Sequence, residues 1–246
     1  MLRLRYIFTF MSMISIFPIF AQRISDHNTI GWYTTTITPK INEKWSGHFE
    51  YQWRRTDWVK NWQQSLLRVG ITYKLQENVI AQVGYGWART FDYGEYFLSA
   101  INKTFDEHRI YEQIVLSSQY GKVKLTNRFR LEQRWLAVYK SVEDTKPQRW
   151  NYLNRMRFMP RVDVPISKNG WYVAAYDEVM LGFGGNIGQN IFDQNRIAGL
   201  VGFNINKTAR VEGGFLNQTV QFGRQIDQQN VFQYNKGIII NTYFNL

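Results

Sequence analysis

Apolar residues recur at every second position over long stretches of this chain. The clearest stretch runs from Trp45 to Arg55, where the apolar positions are Trp45, Gly47, Phe49, Tyr51 and Trp53. Successive side chains of a β-strand point to opposite faces, so this stretch has one apolar face and one polar face. The same alternation is found in Leu67–Leu75, Val79–Trp87, Leu125–Trp135, Tyr152–Phe158 and Ile238–Leu246. The pattern predicts an all-β protein.

The connections between these stretches alternate in length. The short ones are polar and fall at Thr38–Asn42, Gln76–Asn78, Gln119–Lys122, Pro165–Gly170 and Asn206–Lys207. The longer ones fall at Thr56–Trp62, Thr90–Asp106, Lys140–Gln148, Gly184–Gln194 and Gly223–Asn230. This alternation is typical of transmembrane β-barrels, which have short turns on the periplasmic side and long loops outside.

A soluble sandwich or lipocalin-like barrel would also alternate, with its apolar face packed inward. Two features favour the membrane. The predicted strands, at about 11–14 residues, exceed the five or six of a typical soluble strand. Aromatic residues also crowd both strand ends, as the two headgroup layers of a membrane select.

Residues 22–246 are therefore expected to form a transmembrane antiparallel up-and-down β-barrel of 10–12 strands. Ten strands follow from Trp45 onward, and Ile30–Ile37 would be an eleventh. An odd number is unusual for a bacterial single-chain barrel. The parity therefore stays open at this point.

The first residues, Met1–Ala21, have the layout of a cleaved secretory signal peptide. Arg3 and Arg5 supply a positive start, an apolar run follows from Tyr6, and a small residue, Ala21, ends it. The apolar run is short of the roughly 20 residues that a membrane-spanning helix needs. The chain is therefore expected to be exported, and we expect it in the outer membrane of a Gram-negative bacterium.

The polar faces of the predicted strands carry mostly arginine, in a chain with a net charge of +11. The residues expected to line the lumen are Arg54, Arg68, Arg109, Arg128, Arg130, Glu132, Arg134, Arg155, Arg157, Glu178, Arg196 and Glu212. Glu112 is ambiguous, because it falls among Ile110, Ile114 and Leu116. A basic wall can attract anions into a pore. Its side chains can equally fill a narrow barrel and brace it through Arg–Glu networks, and 10–12 strands allow both.

Other chemistry finds little support in the sequence. The absence of cysteine excludes disulfides and cysteine-based metal or nucleophile sites. Of the three histidines, His48 lies mid-strand beside Glu50, and His108 follows Glu107. Each is expected to be a hydrogen-bonded or solvated histidine rather than a catalytic base. No enzymatic activity, cofactor or metal is expected, and no nucleic acid, because the positive charge belongs to an enclosed wall.

Several stretches resemble a bacterial outer-membrane family, the domain-of-unknown-function family 2490. They are Tyr51–Arg55 (YQWRR), Glu107–Gln113 (EHRIYEQ), Asn127–Arg134 (NRFRLEQR), Tyr176–Glu178 (YDE), Phe192–Arg196 (FDQNR) and Val211–Gln218 (VEGGFLNQ). The resemblance spans essentially the whole mature chain. It implies a barrel found mainly in Gram-negative bacteria and implies no known activity, substrate or catalytic residue.

The expected function is a narrow passive channel for small anionic solutes. The alternative is a closed structural or partner-binding barrel that acts through Thr90–Asp106 and Lys140–Gln148, and a membrane-embedded hydrolase is the weakest hypothesis. The expected partners are outer-membrane lipid, small anionic solutes and, during insertion, the barrel-assembly machinery.

Overall fold

The computed structural model describes residues 23–246, and the predicted signal peptide, Met1–Ala21, lies outside the described residues. The described chain forms eleven strands, which are β1 (Arg23–Thr38), β2 (Trp45–Thr56), β3 (Asn61–Gln76), β4 (Val79–Thr90), β5 (Phe105–Tyr120), β6 (Val123–Val138), β7 (Arg149–Pro165), β8 (Trp171–Phe183), β9 (Phe192–Asn204), β10 (Ala209–Ile226) and β11 (Gln229–Asn245). Residues 23–246 contain no helix that is long and apolar enough to cross a membrane.

The eleven strands close into one barrel in which sequential strands are neighbours. Every sequential pair is antiparallel, from β1 with β2 to β10 with β11. The barrel closes through a parallel pair, in which β1 runs beside β11 from Arg23↔Asn230 to Thr38↔Asn245. The prediction of an all-β barrel of 10–12 strands is confirmed, and the odd number follows from this parallel pair.

The connections at the two ends of the barrel differ in length. At one end, called here the short-turn end, they span residues 39–44, 77–78, 121–122, 166–170 and 205–208. At the other, the long-loop end, they span 57–60, 91–104, 139–148, 184–191 and 227–228. The predicted long connection at Gly223–Asn230 is wrong, because β10 continues to Ile226. Asp227 and Gln228 turn the chain with φ of 48° and 62°, as a two-residue type I′ hairpin requires.

The outer wall is apolar between two aromatic belts. At the long-loop end Trp135 packs against Tyr152, with ring centroids 5.3 Å apart. At the short-turn end Trp45 packs against Tyr73 at 4.6 Å. Between the belts the exposed side chains include Val83, Phe129, Leu131, Ile197 and Phe215. A wall of this kind faces lipid, so the strands span a membrane.

The interior of the barrel is filled by two kinds of side chain. An apolar cluster packs along β1 and β8–β11 and consists of Ile30, Trp32, Tyr172, Ala174, Ala198, Leu200, Leu216 and Ile239. Most of the buried charged residues lie on β2–β7, and they are joined by Glu178 on β8, Asp193 and Arg196 on β9 and Glu212 on β10. Apolar residues are therefore concentrated on one side of the lumen, and charged residues are concentrated on the other but are also present beside the apolar cluster.

Candidate functional site

The residues expected to line the lumen point into the barrel. Eleven of the twelve are buried: Arg54, Arg68, Arg109, Arg130, Glu132, Arg134, Arg155, Arg157, Glu178, Arg196 and Glu212. Arg128 is partly buried, with its side chain 22% exposed. Their alternation with exposed residues places them on the inner face, because neighbours along a strand point to opposite sides. Whether this face conducts solute is a separate question.

A carboxylate in the middle of the charged wall binds several arginines. Glu132 on β6 lies 2.5 Å from Arg155 and 2.6 Å from Arg157, and its carboxylate is 3.6 Å from Arg130. Glu178 on β8 accepts from Arg157 and Arg128, both at 2.6 Å. The pairs tie β6, β7 and β8 together across the interior. A buried ion pair is costly to break, because the remaining charge has no compensation.

Similar pairs occupy the long-loop end of the wall. Glu107 accepts from Arg109 and Arg134, each at 2.6 Å. Asp193 on β9 lies 2.6 Å from Arg155 and 3.8 Å from Arg134. These arginines are therefore neutralised by carboxylates and act as braces.

A further ion pair, like Arg134–Asp193, joins strands that are three apart in the barrel. Arg161 on β7 donates to Glu212 on β10 at 2.5 Å, and Tyr172 donates to the same carboxylate at 2.7 Å. Because these contacts cross the interior rather than follow the sheet, they narrow the lumen toward the short-turn end.

Arg54 on β2 is held differently from the braces. Its Nε donates to Gln52 at 2.9 Å and its Nη1 donates to Gln64 at 2.8 Å, while Nη2 also donates to Gln52. Among residues 23–246, Arg54 makes no ion pair with a carboxylate. Neutral amides therefore orient its guanidinium and leave its charge uncompensated.

Arg54 shares an aromatic support with Arg196. The guanidinium carbon of Arg54 lies 3.8 Å from the ring centroid of Trp32, and that of Arg196 lies 4.8 Å from it. Trp32 is 3% exposed and donates its Nε1–H to Gln63 at 2.5 Å. Two positively charged guanidiniums thus lie close to one buried indole ring, whose quadrupole attracts cations.

A cavity of about 340 Å³ lies at the long-loop end, above these side chains. Its charged lining consists of six arginines and two carboxylates, which are Arg54, Arg109, Arg134, Arg155, Arg196, Arg224, Glu107 and Asp193. The volume falls in the range of small-molecule sites. Arginines outnumber carboxylates three to one in this lining, which therefore carries a formal net positive charge.

The connection 91–104 forms the roof of this cavity, with Tyr93 and Leu98–Ile101 in its lining. Arg224 donates to the carbonyl of Phe97 at 2.8 Å, and Asn235 donates to the hydroxyl of Tyr93 at 3.2 Å. Burial raises the pKa of Tyr93 to about 12. The alternative hypothesis from the sequence gave this connection the role of a contact loop for a partner; in the structure it folds over the barrel mouth.

The sequence reasoning missed the glutamines that orient the cavity arginines. Gln52 precedes Arg54 by two residues, and Gln194 precedes Arg196 by two. Residues two apart share a strand face. This Gln-x-Arg spacing was the available signal, since each glutamine accepts a hydrogen bond from the arginine two residues further on.

The side chain of Glu112, whose direction the sequence left ambiguous, points outward. Glu112 is exposed on the outer wall, opposite Val83 and Leu131, and accepts from Gln133 at 3.3 Å. It does not belong to the lumen.

His48 and His108 each lie beside one polar side chain. His48 lies 3.5 Å from Glu50 on the inner face, and His108 pairs with the hydroxyl of Tyr85 at 2.5 Å in the outer aromatic belt. Within the described part of the chain, no group of three or more His, Asp or Glu side chains is arranged to hold a metal ion.

Comparison with known proteins gives a family match and two distant structural likenesses. Residues 29–230 match the family model described as "Protein of unknown function (DUF2490)". The NanC porin is 11% identical, with a TM-score of 0.49 over 88% of this chain and 98% of the porin. A second porin is 11% identical, with a TM-score of 0.36 over 86% of this chain and 60% of that one. No match was found among curated proteins.

Proposed function

We propose that this chain, which belongs to the DUF2490 family of proteins of unknown function, forms a narrow passive channel for small anionic solutes in a bacterial outer membrane. The observation that carries the proposal is the cavity at the long-loop end, where six arginines face two carboxylates. A positive lining enclosed by low-dielectric walls concentrates anions.

The proposed location rests on the outer wall and on the connections. An apolar band between aromatic belts suits a bilayer, and unequal connections suit a barrel whose long-loop end faces outward. In this orientation the cavity opens toward the exterior, and solute reaches it before it reaches the braced interior.

A closed structural barrel is the second candidate. It is favoured by the Arg161–Glu212 pair across the interior and by the apolar cluster that packs beside it. Both features reduce the space through which a hydrated ion could pass. The two candidates share the fold and differ in whether water is continuous through the lumen.

Single-channel recording separates them. The refolded mature protein, starting at Gln22, is placed in a planar bilayer, and the reversal potential is measured in a KCl gradient. We expect small, steady conductance steps and a reversal potential that is shifted toward the chloride equilibrium potential. Arg54→Gln should lower this anion preference. Exposed Arg149, outside the cavity lining, supplies the control variant Arg149→Gln. Silence from a correctly folded protein would support the closed barrel instead.

A further inference from the structure

The arginines of the lumen divide by the partners that hold them. Arg109, Arg134 and Arg155 are each held by carboxylates within 3 Å. Arg54 is held only by amide oxygens, whereas Arg196 donates to the Gln194 amide at 2.8 Å and also pairs with the Glu178 carboxylate at 3.6 Å. Arg54 therefore keeps its full charge for a ligand, because an amide positions a guanidinium without neutralising it.

Both arginines retain donors that the protein does not use. A guanidinium has five N–H groups, and Arg54 uses three of its nitrogens on Gln52 and Gln64, so two N–H groups remain. The Nε of Arg196 is buried and has no hydrogen-bond acceptor among the described residues. Arg196 is 7% exposed, lines the cavity, and has its nearest carboxylate, Glu178, at 3.6 Å.

The surroundings of the two guanidiniums are rich in neutral hydrogen-bonding groups. The cavity lining includes Gln63, Gln64, Gln194, Gln218 and Tyr93. Gln218 donates to Gln194, and Gln64 donates to Thr90, so these amides are held in fixed orientations. Amides and phenols of this kind suit hydroxyl groups, which both donate and accept hydrogen bonds.

We propose that Arg54 and Arg196, both supported on Trp32, form a binding site for the carboxylate of a small polyhydroxylated acid, whose hydroxyl groups contact the surrounding glutamines. The planar fork of arginine matches a carboxylate in geometry and charge. The cavity volume of about 340 Å³ accommodates a six-carbon acid. Such a site would define the class of solute that the proposed channel carries. Only this biological role of the site, and not the binding itself, rests on the proposed function.

Calorimetric titration of the full mature protein in detergent tests the site at low salt and again at physiological salt. The probes are gluconate, its neutral relative sorbitol, and acetate, which has the carboxylate without the hydroxyl groups. We expect gluconate to bind at least tenfold more tightly than either relative. Arg54→Gln and Arg196→Gln should each weaken gluconate binding tenfold or more.

Arg210→Gln is the matched control. Arg210 also stacks on an aromatic ring, Tyr243 at 4.2 Å, and makes no ion pair among residues 23–246, but it lies outside the cavity lining. Its replacement should leave gluconate binding unchanged. Equal loss in the Arg210 variant, or equal binding of sorbitol or acetate, would overturn the proposed site.

Titration and bilayer recording of the same protein test the binding site and the proposed channel separately. Gluconate binding by a barrel that is silent in bilayers would support the site and reject the channel. Anion-selective conductance in a protein that does not bind gluconate would reject the site and leave the channel standing.

Discussion

At the scale of single residues, the partner of each inward arginine decides what that arginine can do. Where a carboxylate lies within a few ångströms, as Glu132 does beside Arg155, the pair is a brace whose charges cancel. Where only amides lie near, as around Arg54, the positive charge stays available. Strand alternation in the sequence was enough to place both kinds on the inner face. It could not separate them, because pairing depends on which residues of different strands lie side by side, and alternation within a strand does not give that register.

Replacing Glu132 by glutamine should destabilise the barrel. The Glu132 carboxylate is within 4 Å of Arg130, Arg155 and Arg157, and its loss leaves three buried guanidiniums with less compensation. The expected loss is about 3–5 kcal/mol in the free energy of unfolding. Urea unfolding in lipid vesicles measures it, supported by heat-modifiable gel migration. An unchanged unfolding midpoint would show that Glu132 is not a brace.

Replacing Glu112 should have the opposite effect. Its side chain faces the apolar outer wall between Ile110 and Ile114, where a carboxylate gains little from its surroundings. Glu112→Leu should therefore raise the free energy of unfolding in vesicles by about 1 kcal/mol, since charged groups on a lipid-facing wall are costly. The same urea titration serves as the measurement, and this variant is the outer-wall counterpart of the Glu132 change. Lower stability would contradict a lipid-facing position.

At the scale of elements, barrel closure depends on the close approach of β1 and β11. A Cβ added at Gly237 would lie 1.7 Å from the carbonyl oxygen of Ile30, its partner in the parallel pair. Only glycine leaves room for such an approach of two backbones. The sequence contained the strand Ile30–Ile37, but its parallel pairing could not be predicted, since alternation does not indicate the direction of a neighbour.

Gly237→Val should prevent closure of the barrel. The added side chain would push β1 away from β11, so we expect the loss of the heat-modified folded band on a gel after refolding into vesicles. Gly213→Ala is the control, because a Cβ there would meet only the Ile239 carbonyl, at 4.0 Å. Refolding of the Gly237 variant with wild-type yield would contradict the closed parallel pair.

The roof formed by residues 91–104 should loosen at high pH. Burial raises the pKa of Tyr93 to about 12, so the folded state favours the neutral phenol. Its contribution to roof packing is therefore complete below the ordinary tyrosine pKa near 10 and is lost as the pH rises toward 12. Phenolate absorbance of the wild type minus that of Tyr93→Phe should show one tyrosine ionising near pH 12. A difference that is complete by pH 10 would place Tyr93 in water.

At the scale of the whole molecule, the parallel closing pair sets which end of the barrel each part of the chain occupies. β1 begins at the long-loop end, where Ser25 is paired with Phe232. A barrel of ten strands that started at Trp45 would leave this segment out. Strand alternation, connection lengths and the aromatic strand ends together predicted the barrel, its lipid-facing wall and its arginine-rich interior from the sequence. The closing pair and the inward fold of 91–104 depend on contacts between distant segments, which periodicity does not encode.

The absence of cysteine allows this arrangement to be tested by labelling single introduced cysteines in intact cells with a membrane-impermeant maleimide. The exposed positions Asn186, at the long-loop end, and Lys122, at the short-turn end, calibrate the two sides. Asn186→Cys should be labelled from outside, and Lys122→Cys only after permeabilisation. Ser25→Cys should behave like Asn186→Cys, because β1 starts at the same end. If Ser25→Cys is labelled only after permeabilisation, as Lys122→Cys is, then β1 does not run parallel to β11 in the membrane. In that case Trp32 could not support Arg54 and Arg196 inside the barrel.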